Sequence, residues 1–352
     1  MNMSTPMVES LHSLVSGQSL SSVQRSQLAT QMLSDPDWAV AFGVTPETVE
    51  DVIDVRSQLL PNLYPKVQQY WQDCQIQTPC IDLLWQFWLP LAQRLIQTHQ
   101  QLNRPLIQGI LGMQGAGKST LTAMLCLILQ QLGYTSLTLS IDDLYKTYAD
   151  RQQLQQQDPR LIWRGPPGTH DIDIGIEILD RLRFAQAVDI PRFDKSAHNG
   201  QGDRSGFESA QPADIVLFEG WFTGLFPLPD SAFEDPPAPI NTPEDLTFAQ
   251  EMNQALNDYS PLWERLDSLI VLQLADYQLS KRWRINAERV AIATGKTGMD
   301  KTEVEQFVDY FWKALHPKLF IPALIQKPQA VDLVIEINAE HLPRKIYSGI
   351  TT

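Results

Sequence analysis

Cysteine is scarce in this chain: Cys74, Cys80 and Cys126 are the three among 352 residues, and no two form a C-x-x-C pair. That excludes a disulfide framework and predicts three reduced thiols in a cytosolic protein, with a Cys74–Cys80 bridge as the alternative. Positive charge is also short. Lys and Arg number 27 against 41 Asp and Glu, a formal charge of −14. A surface of that sign repels nucleic acid and anionic membranes, so neither is expected as the main partner. An anionic ligand would then need a local basic pocket. Long apolar runs are missing too: the richest, Leu83 to Ile96, is interrupted by Gln86, Pro90, Gln93 and Arg94, which argues against a membrane span. Residues 1–20 have neither the basic start nor the continuous apolar core of a secretion signal, which points to a cytoplasmic location. His170 and His198 have no Cys or second His at ligand spacing, so zinc is not expected. What remains is an ordinary globular composition, 43% apolar and 19% charged, long enough for one large domain or two modest ones.

The strongest positive feature is Gly112-Met113-Gln114-Gly115-Ala116-Gly117-Lys118-Ser119, followed by Thr120: a complete G-x-x-x-x-G-K-[ST] phosphate-binding loop. Glycines let backbone N–H groups turn toward phosphate oxygens. The lysine reaches the β- and γ-phosphates, and the serine hydroxyl holds magnesium. Context supports the motif. Leu106–Leu111 reads as a buried strand before it, and Leu121, Met124, Leu125, Ile128 and Leu132 recur at helical spacing behind it, with Gly133 as a stop. A nucleoside triphosphate with Mg2+ is the expected ligand of residues Gly112 to Thr120.

Along the chain, residues 1–100 predict a helical N-terminal extension, and residues 101–352 a P-loop domain. In the extension, Thr45-Pro46-Glu47 predicts a helix start. Leu84, Trp88, Leu91 and Leu95 repeat at helical spacing with a kink at Pro90. From Pro105 onward, apolar strands alternate with helices: Thr135–Ile141, Asp214–Phe218, Ser268–Leu272 and Val331–Ile337. That is the pattern of an α/β protein, a parallel sheet flanked by helices. Phe226–Pro243, with six prolines, predicts a solvated surface loop, and Gln152–Gln157 a polar helix or loop.

Ligands in such sheets bind beyond the carboxyl ends of the strands. Asp142 and Asp143 end the second strand there, and either can accept the proton of an attacking hydroxyl. Glu219 ends the third and suits a magnesium-orienting acid, together with Ser119. Two polar blocks, Arg164–Asp171 and Pro191–Arg204, set charges among glycines and prolines, as in rigid loops with ligand-facing side chains. Lys281-Arg282-Trp283-Arg284 opens a basic helix running through Arg289, and Asp300 with Glu303 caps the next. Arginines on such a segment can close over a transferring phosphate.

These blocks together resemble D-glycerate 3-kinase of the plant, cyanobacterial and fungal type, in the P-loop kinase group of uridine kinase, phosphoribulokinase and pantothenate kinase. The likeness rests on Gly112–Thr120, Asp142–Tyr145, Arg164–Asp171, Pro191–Arg204, Glu219–Trp221, Arg282–Glu288 and Gly295–Met299, over roughly residues 80 to 345. It implies a P-loop NTPase fold and transfer of phosphate from ATP to the 3-hydroxyl of D-glycerate. In a photosynthetic organism that is the last step of photorespiration. The resemblance makes Asp142 the favoured base, with Lys118, Arg282 and Arg284 on the transferring phosphate. Arg164, His170, Asp171, Arg192, Lys195 and Arg204 become the candidates for holding glycerate. A kinase of a nucleoside or pantothenate would instead carry an apolar or aromatic acceptor pocket. A regulatory GTPase would carry an N-K-x-D or T-K-x-D motif, found nowhere in the chain, and a silent ATP-binding module would lack a strand-end base.

Overall fold

The computed structural model describes residues 3–74, 76, 78–293 and 298–350. Its strands are β1 (Leu106–Gly112), β2 (Ser136–Ser140), β3 (Val188–Asp194), β4 (Asp203–Ala210), β5 (Ile215–Gly220), β6 (Ser268–Leu274), β7 (Leu333–Ile337) and β8 (Pro343–Ser348). Six form one sheet in the order β2-β5-β1-β6-β7-β8, parallel except for β8. β3 and β4 make a separate antiparallel ribbon. This is the expected architecture, a mostly parallel sheet flanked by helices.

All seven residues of β1 are buried, because both faces of the sheet are covered. Alternation sorts them. Leu106 and Ile110 join a core with Ile215, Leu217 and the helices of the first hundred residues. Ile107 and Leu111 join a second core with Val216, Phe218 and the helix Ile172–Arg183. The helices Val49–Asp73 and Leu89–Leu102 therefore lie directly on the helix that follows the glycine loop, Lys118–Gln131.

Several expectations are corrected. The helix predicted from Thr45 begins at Val49, because the Thr48 and Val49 N–H groups both return to Thr45 O and close a turn first. Pro90 does not kink a helix from within. It sits at the start of Leu89–Leu102, directly after a π-helical turn, Leu84–Trp88. Proline cannot donate to the carbonyl four residues back, and Gln86 O accepts instead from Trp38 Nε1 at 2.8 Å. The proline-rich stretch 226–243 is not wholly solvated: Leu228, Phe233 and Ile240 are buried. The last parallel strand starts at Leu333 rather than Val331. All three cysteines are free thiols, and no helix among the described residues is long and apolar enough to cross a membrane.

Candidate active site

β1, β2 and β5 end side by side, with Ser140 paired to Glu219 and Leu111 to Gly220. A cavity of about 940 Å³ opens at these carboxyl ends. Gln114, Gly115, Lys118 and Ser119 line its floor with Asp142, Asp143 and Glu219. The loop reaches its shape through Gly117, whose φ of +86° only glycine adopts cheaply. Gly112, Ala116 and Thr120 frame the loop without facing the cavity. Lys118 Nζ donates to Gly112 O at 2.8 Å and Met113 O at 3.3 Å, and lies 3.8 Å from Glu219 Oε2. Burial lowers its pKa, opposed by the charges of Glu219 and Asp142. Glu219 has no other polar partner among the described residues, so its carboxylate is open to a further cation or to a cation's water.

The two neighbouring aspartates are differently employed. Asp143 Oδ2 accepts from Ser140 N at 3.1 Å and from Arg192 Nη1 at 3.3 Å, capping the 3₁₀ turn Ile141–Leu144. Asp142 Oδ1 accepts from the Tyr145 hydroxyl at 2.8 Å and Oδ2 from Lys195 Nζ at 2.7 Å. Burial alone would raise both carboxyls. It does raise Asp143, whereas the Lys195 charge and the hydrogen bonds from Lys195 and Tyr145 pull Asp142 below the usual range. Asp142 is thus the more acidic of the two carboxyls.

The block Pro191–Arg204, expected as a loop, is the end of β3, the tip of the β3–β4 ribbon and the start of β4. Arg192 and Arg204 stand on the strands and Lys195 just beyond the end of β3, and these basic residues part company. Lys195 lines the cavity. Arg192 turns to Asp143 and Glu208, and Arg204 to Asp171 and Tyr145 O, so neither lines it. In the other block Arg164 lines the cavity. Gly165 beside it cannot carry a side chain: a Cβ there would sit 2.5 Å from the Phe311 ring. Asp171 is spent on Lys146 and Arg204, and His170 is buried beneath Tyr145, stacked at 4.8 Å. Of the basic helix, Leu279–Ala293, Arg284 lines the cavity and pairs with Glu288. Arg282 instead pairs with Asp276 on the surface. Gly295, Lys296 and Thr297 lie outside the described residues.

Sequence reasoning misses Arg151, which lines the cavity from the glutamine-rich helix Tyr148–Gln157, and the rings of Trp163, Phe307 and Phe311. No motif marks Arg151. The rings sit in segments whose apolar content reads as core.

His170 shares a 2.7 Å hydrogen bond with the Tyr259 hydroxyl through Nδ1, while Nε2 has no partner among the described residues. Burial pushes its pKa down to about 3, against about 6.5 in an unfolded chain. Between those values the unfolded chain binds a proton that the folded chain refuses. Stability from this residue is therefore complete above pH about 6.5 and declines as pH falls toward 3. Denaturant unfolding at pH 6.5 and pH 5 should show His170→Gln losing about 2 kcal/mol less over that interval than the parent. An identical pH slope would mean that His170 is not held neutral.

No family model matches the chain. It is 31% identical over 258 residues to a protein of Arabidopsis thaliana called chloroplastic D-glycerate 3-kinase, covering 68% of this chain and 54%, about half, of that one. It is 34% identical over 220 residues to an uncharacterized kinase, mug58, of Schizosaccharomyces pombe, covering 59% of this chain and 79% of the relative. Among solved structures, D-glycerate 3-kinase from Cryptococcus neoformans var. grubii superposes with a TM-score of 0.67 at 26% identity, over 74% of this chain and 98% of that one.

Proposed function

We propose that this chain, which belongs to the P-loop kinase family that includes D-glycerate 3-kinase, transfers the γ-phosphate of ATP to the 3-hydroxyl of D-glycerate, giving 3-phosphoglycerate. The observation that carries this reading is one cavity holding the phosphate-loop Lys118 and Ser119, the open carboxylate of Glu219, the ionised Asp142 and several cationic side chains. Backbone N–H groups of Gly115 to Thr120 would cradle the phosphates, with Lys118 offsetting their charge. Asp142 would accept the hydroxyl proton as the acceptor attacks, and Arg284 would face the charge on the transferring group. Ser119 and Glu219 fit the hold on Mg2+, which when bound draws charge from the β- and γ-phosphate oxygens. The enzyme is read as cytoplasmic, and in a photosynthetic cell the reaction would complete photorespiratory recycling.

A second reading has one observation in its favour. Trp163, Phe307, Trp221 and Phe311 form an aromatic wall of the cavity, with ring centroids of neighbouring pairs 4.8–5.3 Å apart, as a nucleoside acceptor would use. Turnover with D-glycerate, glycerol and uridine at fixed ATP separates the two. Glycerol lacks the carboxylate and should be poorer by about 10⁴-fold, since it leaves buried polar groups unpaired. Comparable rates on glycerol or uridine and on D-glycerate would overturn the glycerate assignment.

A further inference from the structure

The basic residues that line the cavity are not equally free. Lys118 lies beside Glu219, Lys195 holds Asp142 and Arg284 holds Glu288. Arg151 and Arg164 form no ion pair among the described residues. Their guanidinium groups sit on backbone carbonyls at the tip of the β3–β4 ribbon. Arg164 Nη1 donates to Gly200 O at 2.8 Å and Gln201 O at 3.0 Å. Arg151 Nη1 donates to Gln201 O at 2.9 Å, its Nη2 to Gly202 O and its Nε to Lys146 O at 3.1 Å. Both guanidinium carbons lie against the Phe193 ring, at 5.4 and 5.5 Å from its centroid. Two like charges held together in a partly enclosed site repel, and neutral carbonyls do not cancel their charge. A guanidinium also has more N–H donors than these bonds use. In a chain of net charge −14, such a pair with no carboxylate bonded to it is a site that an anion completes.

Its position suits the reaction. Arg164 lies 5.9 Å from the Tyr145 ring centroid, and the hydroxyl of that ring is bonded to Asp142. Tyr145 and Phe193 meet edge to face at 5.0 Å, so cations and base are presented around one aromatic pair. Resting on the reading of the chain as a kinase of a small hydroxy acid, we infer that Arg151 and Arg164 together hold the acceptor's carboxylate, and that Arg151 is a specificity-determining residue. The carboxylate gains charge-assisted hydrogen bonds from two planar groups, which fixes the terminal hydroxyl toward Asp142. Arg192 and Arg204, each tied to a carboxylate of the protein itself, support the ribbon instead.

The test compares D-glycerate with D-glyceramide, its neutral isostere, as acceptors for the parent, Arg151→Gln and Arg151→Lys. The parent should favour the acid. Arg151→Gln should lower kcat/KM for D-glycerate roughly 10–100-fold, mainly through KM, with KM for ATP little changed. The acid-over-amide preference should shrink by a similar factor, and Arg151→Lys, which keeps charge but loses the planar fork, should retain part of it. Loss of a purely structural bond would slow both acceptors equally. An equal loss, or none, would overturn the assignment of Arg151 while leaving the glycerate reading standing. A parent enzyme that does not distinguish acid from amide would overturn both.

Discussion

Lys118→Ala should reduce turnover by on the order of 10³–10⁵-fold, the range in which a single cation at a transferring phosphoryl group acts. Lys118 Nζ contacts the carbonyls of Gly112 and Met113 and lies near Glu219. Removing it takes away the one cation that the loop itself would offer to the β- and γ-phosphates of ATP. The fold should survive. The lysine bonds only to loop carbonyls, and the cores on both faces of the sheet are built from β1, β5, β6 and their helices. The side chain left behind is Glu219, a partly enclosed carboxylate whose nearest cation has gone, so a small drop in melting temperature is expected. Arginine would not rescue the loss, because a planar fork does not fit where a compact ammonium reaches into the loop. Single-turnover phosphoryl transfer, with a thermal melt on the same sample, decides the matter. Near parental turnover from a folded variant would remove the phosphate loop from the mechanism.

Those strands and that loop are legible in the sequence because their signals are local. A buried parallel strand is a continuous apolar run, as in Leu106–Leu111, and the glycine loop is spelled out residue by residue. Asp142 and Glu219 stand out for the same reason, since each follows a recognisable strand. The division of labour among the basic residues is not legible. Arg192, Arg204 and Lys195 stand in one block, yet ribbon geometry and the carboxylates of Asp143, Glu208 and Asp171 decide which of them reaches the cavity. Two of those carboxylates are remote in sequence: Asp143 is 49 residues from Arg192, and Asp171 is 33 from Arg204. The block reads as loop because Pro191 interrupts the run that becomes β3, and Gly200 and Gly202 stand among its charges. Arg151 is invisible because nothing near it in sequence differs from an ordinary polar helix. His170 misleads for the opposite reason: it stands in a conspicuous motif, and only packing beneath Tyr145 shows that it is buried.

Asp142→Asn should cost about 10²–10⁴-fold in kcat, the usual contribution of a general base, with little change in ATP binding. An amide cannot take the hydroxyl proton, and it also forfeits the charge that holds Lys195 at 2.7 Å. Asp143→Asn is the necessary control. Asp143 accepts from Ser140 N and Arg192, so its loss should loosen the turn and the ribbon contact and cost stability more than turnover. If Asp143→Asn were crippling and Asp142→Asn mild, the proton acceptor would be the other aspartate. Lys195→Met supplies a sharper check through pH. In the parent, burial raises the Asp142 carboxyl, but the Lys195 charge and hydrogen bond, with the Tyr145 hydroxyl, outweigh it and leave the pKa below its usual 3.8. The base is then ionised at every pH above that value, and activity due to it falls only as pH drops through the lowered pKa. Without Lys195 the burial effect meets less opposition, so the pKa moves up and the acid limb of kcat/KM should move up with it. An acid limb that stays in place when Lys195 is removed, in a variant that still turns over, would show that Asp142 does not carry the proton.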